Sequence, residues 1–362
     1  MTSGKPAGEA KEERVSQWIL PSTSRSIRSL GLDRDATLGS LGENEVRVKL
    51  YAAGLNYRDL MIAKGLAPGP IRAPHVVPGS DGAGIVEAVG SNVKDFQPGD
   101  KVLTHLTPLF DPSDESSMPD MKAISSGLGH TLDGTLRSRG NFPASGLFKM
   151  PANLSFLEAS TLTCSGLTAY NALFGLKGRE IKQGDWVMIQ GTGGVSIAAL
   201  QFAVAVGANV VATTSNAEKG RLLKELGARE VVNYRESREW GGVVKSFTPG
   251  GRGFDVVVDV GGDSTLEQSL EAVRTDGVVA LTGLLGGAAE PVKMLAALMA
   301  VCTVRGVLLG SKKQMRELVR FVEEKNLKPV LDFRTWDLDE VKRAYDWLEN
   351  QKHFSKVVIH IE

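Results

Sequence analysis

The sequence predicts a two-domain α/β protein, with a β-rich domain in its first part and a doubly wound parallel sheet after it. Three observations carry this. Short strands with Pro/Gly turns fill the first third, continuous apolar runs alternate with helical patterns from about Leu162, and one of those runs opens into a glycine-rich turn. With 362 residues, 42% of them hydrophobic, the chain has material for two full cores.

Residues 1–14 hold no apolar residue suited to anchor a core and read as a disordered tail, so the body begins at Val15. At 45–51 the pattern E-V-R-V-K-L-Y sets Val46, Val48 and Leu50 on one face and charges on the other, the period of a half-buried strand. Further strands are expected at 84–89 and 101–105, separated by the turns PGSDG (78–82) and PGD (98–100). Residues 106–136, rich in Ser, Asp, Gly and Pro, read as a long surface loop. Strands are then expected at 186–190, 209–213, 255–260, 277–282 and 303–309, with helices at 195–206, 217–226, 264–274 and 293–301. Strands apolar on both faces that alternate with helices require a parallel sheet covered on both sides. Amphipathic helices near 314–325 and 338–350 and a last strand KVVIHI follow. That piece is too small to stand alone and is expected to pack back on the first domain. The predicted division is therefore 15–160 completed by 312–362, with 161–311 as the second domain.

Forty-two basic residues balance forty-two acidic ones, so no positive field draws a nucleic-acid backbone, and no basic or aromatic stripe suggests one. No stretch reaches the roughly 20 apolar residues of a membrane span. Two cysteines, Cys164 and Cys302, build no disulfide framework. A reducing compartment, most simply the cytoplasm, is expected.

The strongest chemical signal is Gly191-Thr192-Gly193-Gly194-Val195-Ser196, between the buried run WVMIQ and an apolar helix. In the pattern G-x-G-x-x-G the first two glycines allow a tight turn and let backbone approach a pyrophosphate, which the helix N-terminus then favours. Ser196 holds the third position and is small enough for close helix packing. Strand before and helix after mark a dinucleotide-binding Rossmann unit rather than a structural turn. An acid about 20 residues on would hold an NAD ribose, but Thr213-Thr214-Ser215-Asn216 contains none. Lys219 falls in the first turn of the next helix, where a cation opposes the helix dipole. A 2′-phosphate would account for it, so NADPH is expected over NADH. The plain alternative is a solvated lysine.

The stretches AAGLNYRDLMIAKG, VPGSDGAGIVEAVG, QPGDKV, TLTCSGLTAYNAL, GDWVMIQGTGGVS, LLKELGAREVVNYRE and HFSKVVI make the chain resemble the medium-chain dehydrogenase/reductase superfamily over residues 43–361. The resemblance implies a GroES-like β-rich catalytic domain around a Rossmann domain, with substrate in the cleft between them. In the zinc alcohol dehydrogenases of that superfamily two cysteines and a histidine ligate the metal, and the corresponding positions look like Asn56, Ser80 and Cys164. Asn and Ser are poor zinc ligands. The segment 105–134, where a four-cysteine structural zinc lobe would fall, has no cysteine, and the five histidines (His75, His105, His130, His353, His360) form no pair at ligand spacing. No metal site is expected, and Cys164 reads as a small buried residue. What remains resembles the zinc-independent quinone oxidoreductases and enoyl reductases, whose LNFRD segment is close to LNYRD here. By resemblance, Asn56 and Thr168 lie near the nicotinamide, and Gly191, Thr192, Gly193, Gly194 and Val195 at the pyrophosphate. Ser215, Lys219 and Tyr234 surround the 2′-phosphate, and Gly283 and Leu284 complete the cofactor-binding set. A homodimer through TVRGVLL is also implied.

Without a metal to polarise a carbonyl, an α,β-unsaturated carbonyl suits such a site, because hydrogen-bond donors alone can stabilise an enolate oxygen. Tyr57 is the candidate donor or acid and Asn56 positions nicotinamide or substrate. The alternative for Tyr57 is an aromatic that only shapes the cleft. Arg58 and Asp59 read as a structural ion pair. Three functions follow: an NADPH-dependent reductase of activated double bonds or quinones, a zinc-free alcohol dehydrogenase or carbonyl reductase, and a non-catalytic NADPH-binding protein.

Overall fold

The computed structural model describes residues 13–110, 114–287 and 289–362. A six-stranded, wholly parallel sheet carries the order Glu230–Asn233, Asn209–Thr214, Trp186–Gln190, Phe254–Asp259, Val273–Leu281, Thr303–Gly306. The chain thus winds outward from Trp186–Gln190 in one direction and then restarts at Phe254–Asp259 in the other. The crevice between those two central strands, at their carboxyl ends, is where this topology leaves room for a ligand. The continuous apolar runs follow from two covered faces. Val187, Ile189, Val210, Val256 and Val258 pack into one core with Ile197 and Leu200 of the helix Gly194–Ala205, whereas Met188, Val211 and Val257 pack into another with Trp240 and Phe254.

The GroES-like domain is built on a seven-stranded sheet. Its order is Leu331–Asp337, Lys356–His360, Glu45–Gly54, Asp81–Val89, Lys101–Thr104, Leu147–Lys149, and Arg139–Pro143 also pairs with Glu45–Gly54. The C-terminal strand lies antiparallel to Glu45–Gly54, with Ile359 opposite Ala53. The amphipathic helices observed are Lys312–Glu324 and Val341–Glu349.

Several elements depart from the sequence reading. The first strand is Arg14–Pro21, which starts inside the segment read as a tail; residues 1–12 of that segment lie outside the described residues. Its pattern R-V-S-Q-W-I-L-P buries Val15, Trp18 and Leu20 and pairs with Gly31–Thr37. A helix absent from the sequence reading, Tyr57–Ala63, is started by Asn56, whose N–H donates to the Asp59 carboxylate at 2.7 Å. Strand Thr303–Gly306 is shorter than the 303–309 expected. The segment 106–136 is no free surface loop. It contains the helix Met121–Ser125, buries Leu106, Leu128 and Leu136, and presses Gly134 against Gly79, where a Cβ would stand 1.8 Å from the Gly79 carbonyl oxygen. The predicted Arg58–Asp59 pair is replaced by separate partners. The Arg58 guanidinium donates to the carbonyls of Ile124 and Leu128, which ties this segment to the helix start.

Two histidines carry a pH dependence. Burial holds His105 down to about 4, helped by the charge of Lys312, and His353 is held down to about 4 by burial and then by Lys219 and Lys356. The unfolded chain binds these protons near the ordinary histidine range and the folded chain does not, so the stability present at neutral pH is lost as pH falls from about 6.5 toward 4. Urea unfolding across that range should show a falling midpoint, and His105→Gln together with His353→Gln should flatten the slope.

Candidate active site

The glycine turn is set by the polar ends of the two central strands. Asp259 accepts hydrogen bonds from Gly261 N, Gly262 N and Thr265 Oγ1 on one oxygen and from Gln190 Nε2 and Ser269 Oγ on the other. Gln190 then leads into Gly191, whose φ of +71° needs glycine. A Cβ on Gly191 or Gly193 would meet nothing within 4 Å, so both glycines border open space. The helix Gly194–Ala205 starts at Gly193 without a side-chain cap, and its first N–H groups are left for another acceptor. Ser196, at the third motif position, is buried and donates to Gln190 O at 2.7 Å, so its hydroxyl ties the helix start to the strand. Gly194 is glycine for a different reason. Its Cβ would come within 2.7 Å of Lys356 Cδ and Ser165 Oγ. Ser355 N donates to Thr192 O at 2.8 Å, which joins the turn to the C-terminal strand of the other domain.

At the end of strand Asn209–Thr214 the backbone enters the helix Ala217–Glu225 through Asn216, whose side chain accepts from Glu218 N and Lys219 N. Lys219 Nζ donates to the carbonyl oxygens of Gln351 at 3.2 Å and His353 at 2.7 Å. A 2′-phosphate is therefore not the one reason for a cation at this place; two main-chain carbonyls of the C-terminal segment are another. Burial lowers the pKa of this lysine. Arg238, which the sequence reading passed over, lines the same end.

A cavity of about 890 Å³ brings these parts together. All the residues expected from sequence to bind cofactor or act in catalysis border it: Asn56, Tyr57, Thr168, the turn 191–195, Ser215, Lys219, Tyr234, Gly283 and Leu284. Its far end is apolar, with Met61, Leu106, Met121 and Ile124 beside Tyr57. Three of these four come from the segment 106–136 and were not legible as site residues, because nothing local marks which part of a loop turns inward.

The center of the site holds an ammonium group. Lys356 Nζ donates to Asn56 Oδ1 at 2.7 Å, Leu55 O at 2.9 Å and Asp81 Oδ2 at 3.0 Å, with its side chain 4% exposed and that of Asp81 fully buried. Sequence reasoning missed it, although a lysine opening the buried run K-V-V-I was a signal. The three positions that correspond to zinc ligands do not form a donor set for that ion. Asn56 Oδ1 already accepts from Lys356 and from Ser165 Oγ at 3.3 Å, and Ser80 Oγ donates to Asp81 Oδ1 at 2.8 Å. Burial and then the Asp81 charge push the Cys164 thiol up to about 12, away from the thiolate that binds zinc. Among the described residues no group of three or more His, Cys, Asp or Glu is placed to hold a metal.

Family models for the alcohol dehydrogenase GroES-like domain and for zinc-binding dehydrogenases match residues 42–152 and 194–324. The zinc-type alcohol dehydrogenase-like protein of Schizosaccharomyces pombe is 41% identical over 89% of this chain and 92% of its own. A solved NAD-dependent alcohol dehydrogenase is 32% identical with TM-score 0.83, covering 96% of this chain and all of that one. A 2-octenoyl-CoA carboxylase reductase, solved with NADP and 2-octenoyl-CoA, shares the fold at 24% identity and TM-score 0.83, over 96% of this chain and 88% of that one. With its GroES-like sheet, its Rossmann sheet and these matches, the chain belongs to the medium-chain dehydrogenase/reductase superfamily of oxidoreductases.

Proposed function

We propose that this protein is an NADPH-dependent oxidoreductase that works without zinc and reduces an activated double bond, in an enone or enoyl compound, or a quinone. One observation supports this reading above the rest: a single cavity joins a glycine turn open to a pyrophosphate to an apolar pocket, and the cation between them is Lys356. Bound NADPH supplies a hydride. Residues 191–195 would hold its pyrophosphate, Ser215, Lys219 and Tyr234 its 2′-phosphate, Asn56 and Thr168 its nicotinamide, with Gly283 and Leu284 beside it. Met61, Leu106, Met121 and Ile124 keep water from the reacting carbons and favor an uncharged acceptor. Tyr57 borders the same cavity and is assigned as the donor that stabilises the enolate oxygen or protonates the α-carbon.

In this reading residues 161–311 are the nucleotide-binding domain, 15–160 with 312–362 the catalytic one, and the cytoplasm the compartment. A second reading, a zinc-free alcohol dehydrogenase or carbonyl reductase, draws support from the names of the relatives. A homodimer across the edge strand Thr303–Gly306 fits the exposed Leu295, Leu298, Met299 and Val301 next to it.

Purified protein should bind NADPH more tightly than NADH and oxidise it with a small enone or a quinone. NADH preference would mean that Lys219 serves only the Gln351 and His353 carbonyls, tight binding without turnover would leave an idle binder or a narrow-specificity enzyme, and stoichiometric zinc by metal analysis would overturn the zinc-free reading. Tyr57→Phe should lower turnover by about a hundredfold; full turnover would remove Tyr57 as the donor and leave the reductase reading standing. Light scattering should give twice the chain mass, and Leu298→Glu should give the monomer.

A further inference from the structure

Asn56 is held in an unusual way for a residue that borders a cavity. It is 7% exposed, its Oδ1 accepts from both Lys356 and Ser165, and its Nδ2 is buried with no hydrogen-bond partner. The orientation of the amide follows from chemistry. An ammonium only donates, so the end of the amide that faces Lys356 is the oxygen and the opposite end is the NH₂ group. An unpaired buried donor destabilises the fold. Lys356 is in turn held by the Asp81 carboxylate and the Leu55 carbonyl, so its three protons are all assigned. Its stem packs on Gly194, where any side chain would collide with it. The ammonium is thus fixed from the GroES-like sheet and from the glycine turn together.

We propose that Lys356 is a positioning residue for the reductase reaction: it locks the Asn56 amide with Nδ2 as the spare donor, which the carbonyl oxygen of the substrate takes up when it enters. The proposal rests on the reductase reading above. It gives Lys356 the task of organising a neutral donor around a fixed positive charge, at a place whose residues do not suit a divalent metal. It also accounts for an unsatisfied amide that the fold alone has no use for.

The test uses the full-length protein labelled with ¹⁵N-asparagine, with the Asn56 side-chain signal identified by its loss in Asn56→Asp. Wild-type protein should show one sharp pair of Asn56 NH₂ signals, and Lys356→Met should shift and broaden it; an unchanged pair would overturn the proposal, whether or not any acceptor is reduced. Lack of turnover in the wild type with every acceptor would instead count against the reductase reading. In turnover, Asn56→Asp and Lys356→Met should each lower kcat by about a hundredfold, the loss typical of one oxyanion donor. The double variant should be no slower than the slower single one, because both changes remove the same donor. Losses that multiply would overturn the proposal, as would a Lys356→Met variant with lower thermal stability and wild-type kcat. If Lys356→Met does not fold because Asp81 is left unpaired, Lys356→Met with Asp81→Asn removes both charges and should give the same signals and the same loss.

Discussion

An ammonium group taken out of water is stable only where hydrogen bonds and an opposite charge replace its hydration. Lys356, from the C-terminal part of the GroES-like domain, meets that condition with an amide oxygen, a main-chain carbonyl and a buried carboxylate, all from its N-terminal part. Much of the site follows from this. Asp81 stands at the start of the strand Asp81–Val89, Asn56 at the start of the helix Tyr57–Ala63, and the Lys356 stem dictates a glycine at position 194. Just before the C-terminal strand, Ser355 N donates to Thr192 O, so the glycine turn and the Asn56–Lys356–Asp81 cluster share one anchor.

The nucleotide end works through a second polar center. Asp259 collects five donors below the central strands, which satisfies the buried backbone where the chain leaves the sheet. That frees Gly191 and Gly193 to border open space instead of packing on their neighbours. Lys219 joins the two domains at the same end through carbonyls of the segment that carries His353. A ligand anion arriving there would compete with those carbonyls for the same three protons.

The substrate end is shaped by a segment that composition alone describes poorly. Residues 106–136 look polar, yet Leu106, Leu128 and Leu136 are buried and Arg58 ties the backbone down at Ile124 and Leu128. Met121 and Ile124 line the apolar end as a consequence. The pocket owes its character to a few anchors in an otherwise hydrophilic stretch.

The sequence by itself determined the parallel sheet, its helices and the glycine turn, because hydrophobic period and glycine placement are local signals that survive any packing. It also marked Asn56, Ser80 and Cys164 as a poor set of zinc donors, since ligand chemistry is a property of residue type. Tertiary structure alone decided what stands among them. Lys356 lies 300 residues from Asn56 in the chain and 275 from Asp81, and no periodicity reaches across such distances. The partners of Arg58 and Lys219 were hidden for the same reason: both are main-chain carbonyls, which every residue has and no residue type announces. The early strand Arg14–Pro21 was hidden by its polar surroundings and emerged only once Gly31–Thr37 was there to pair with it.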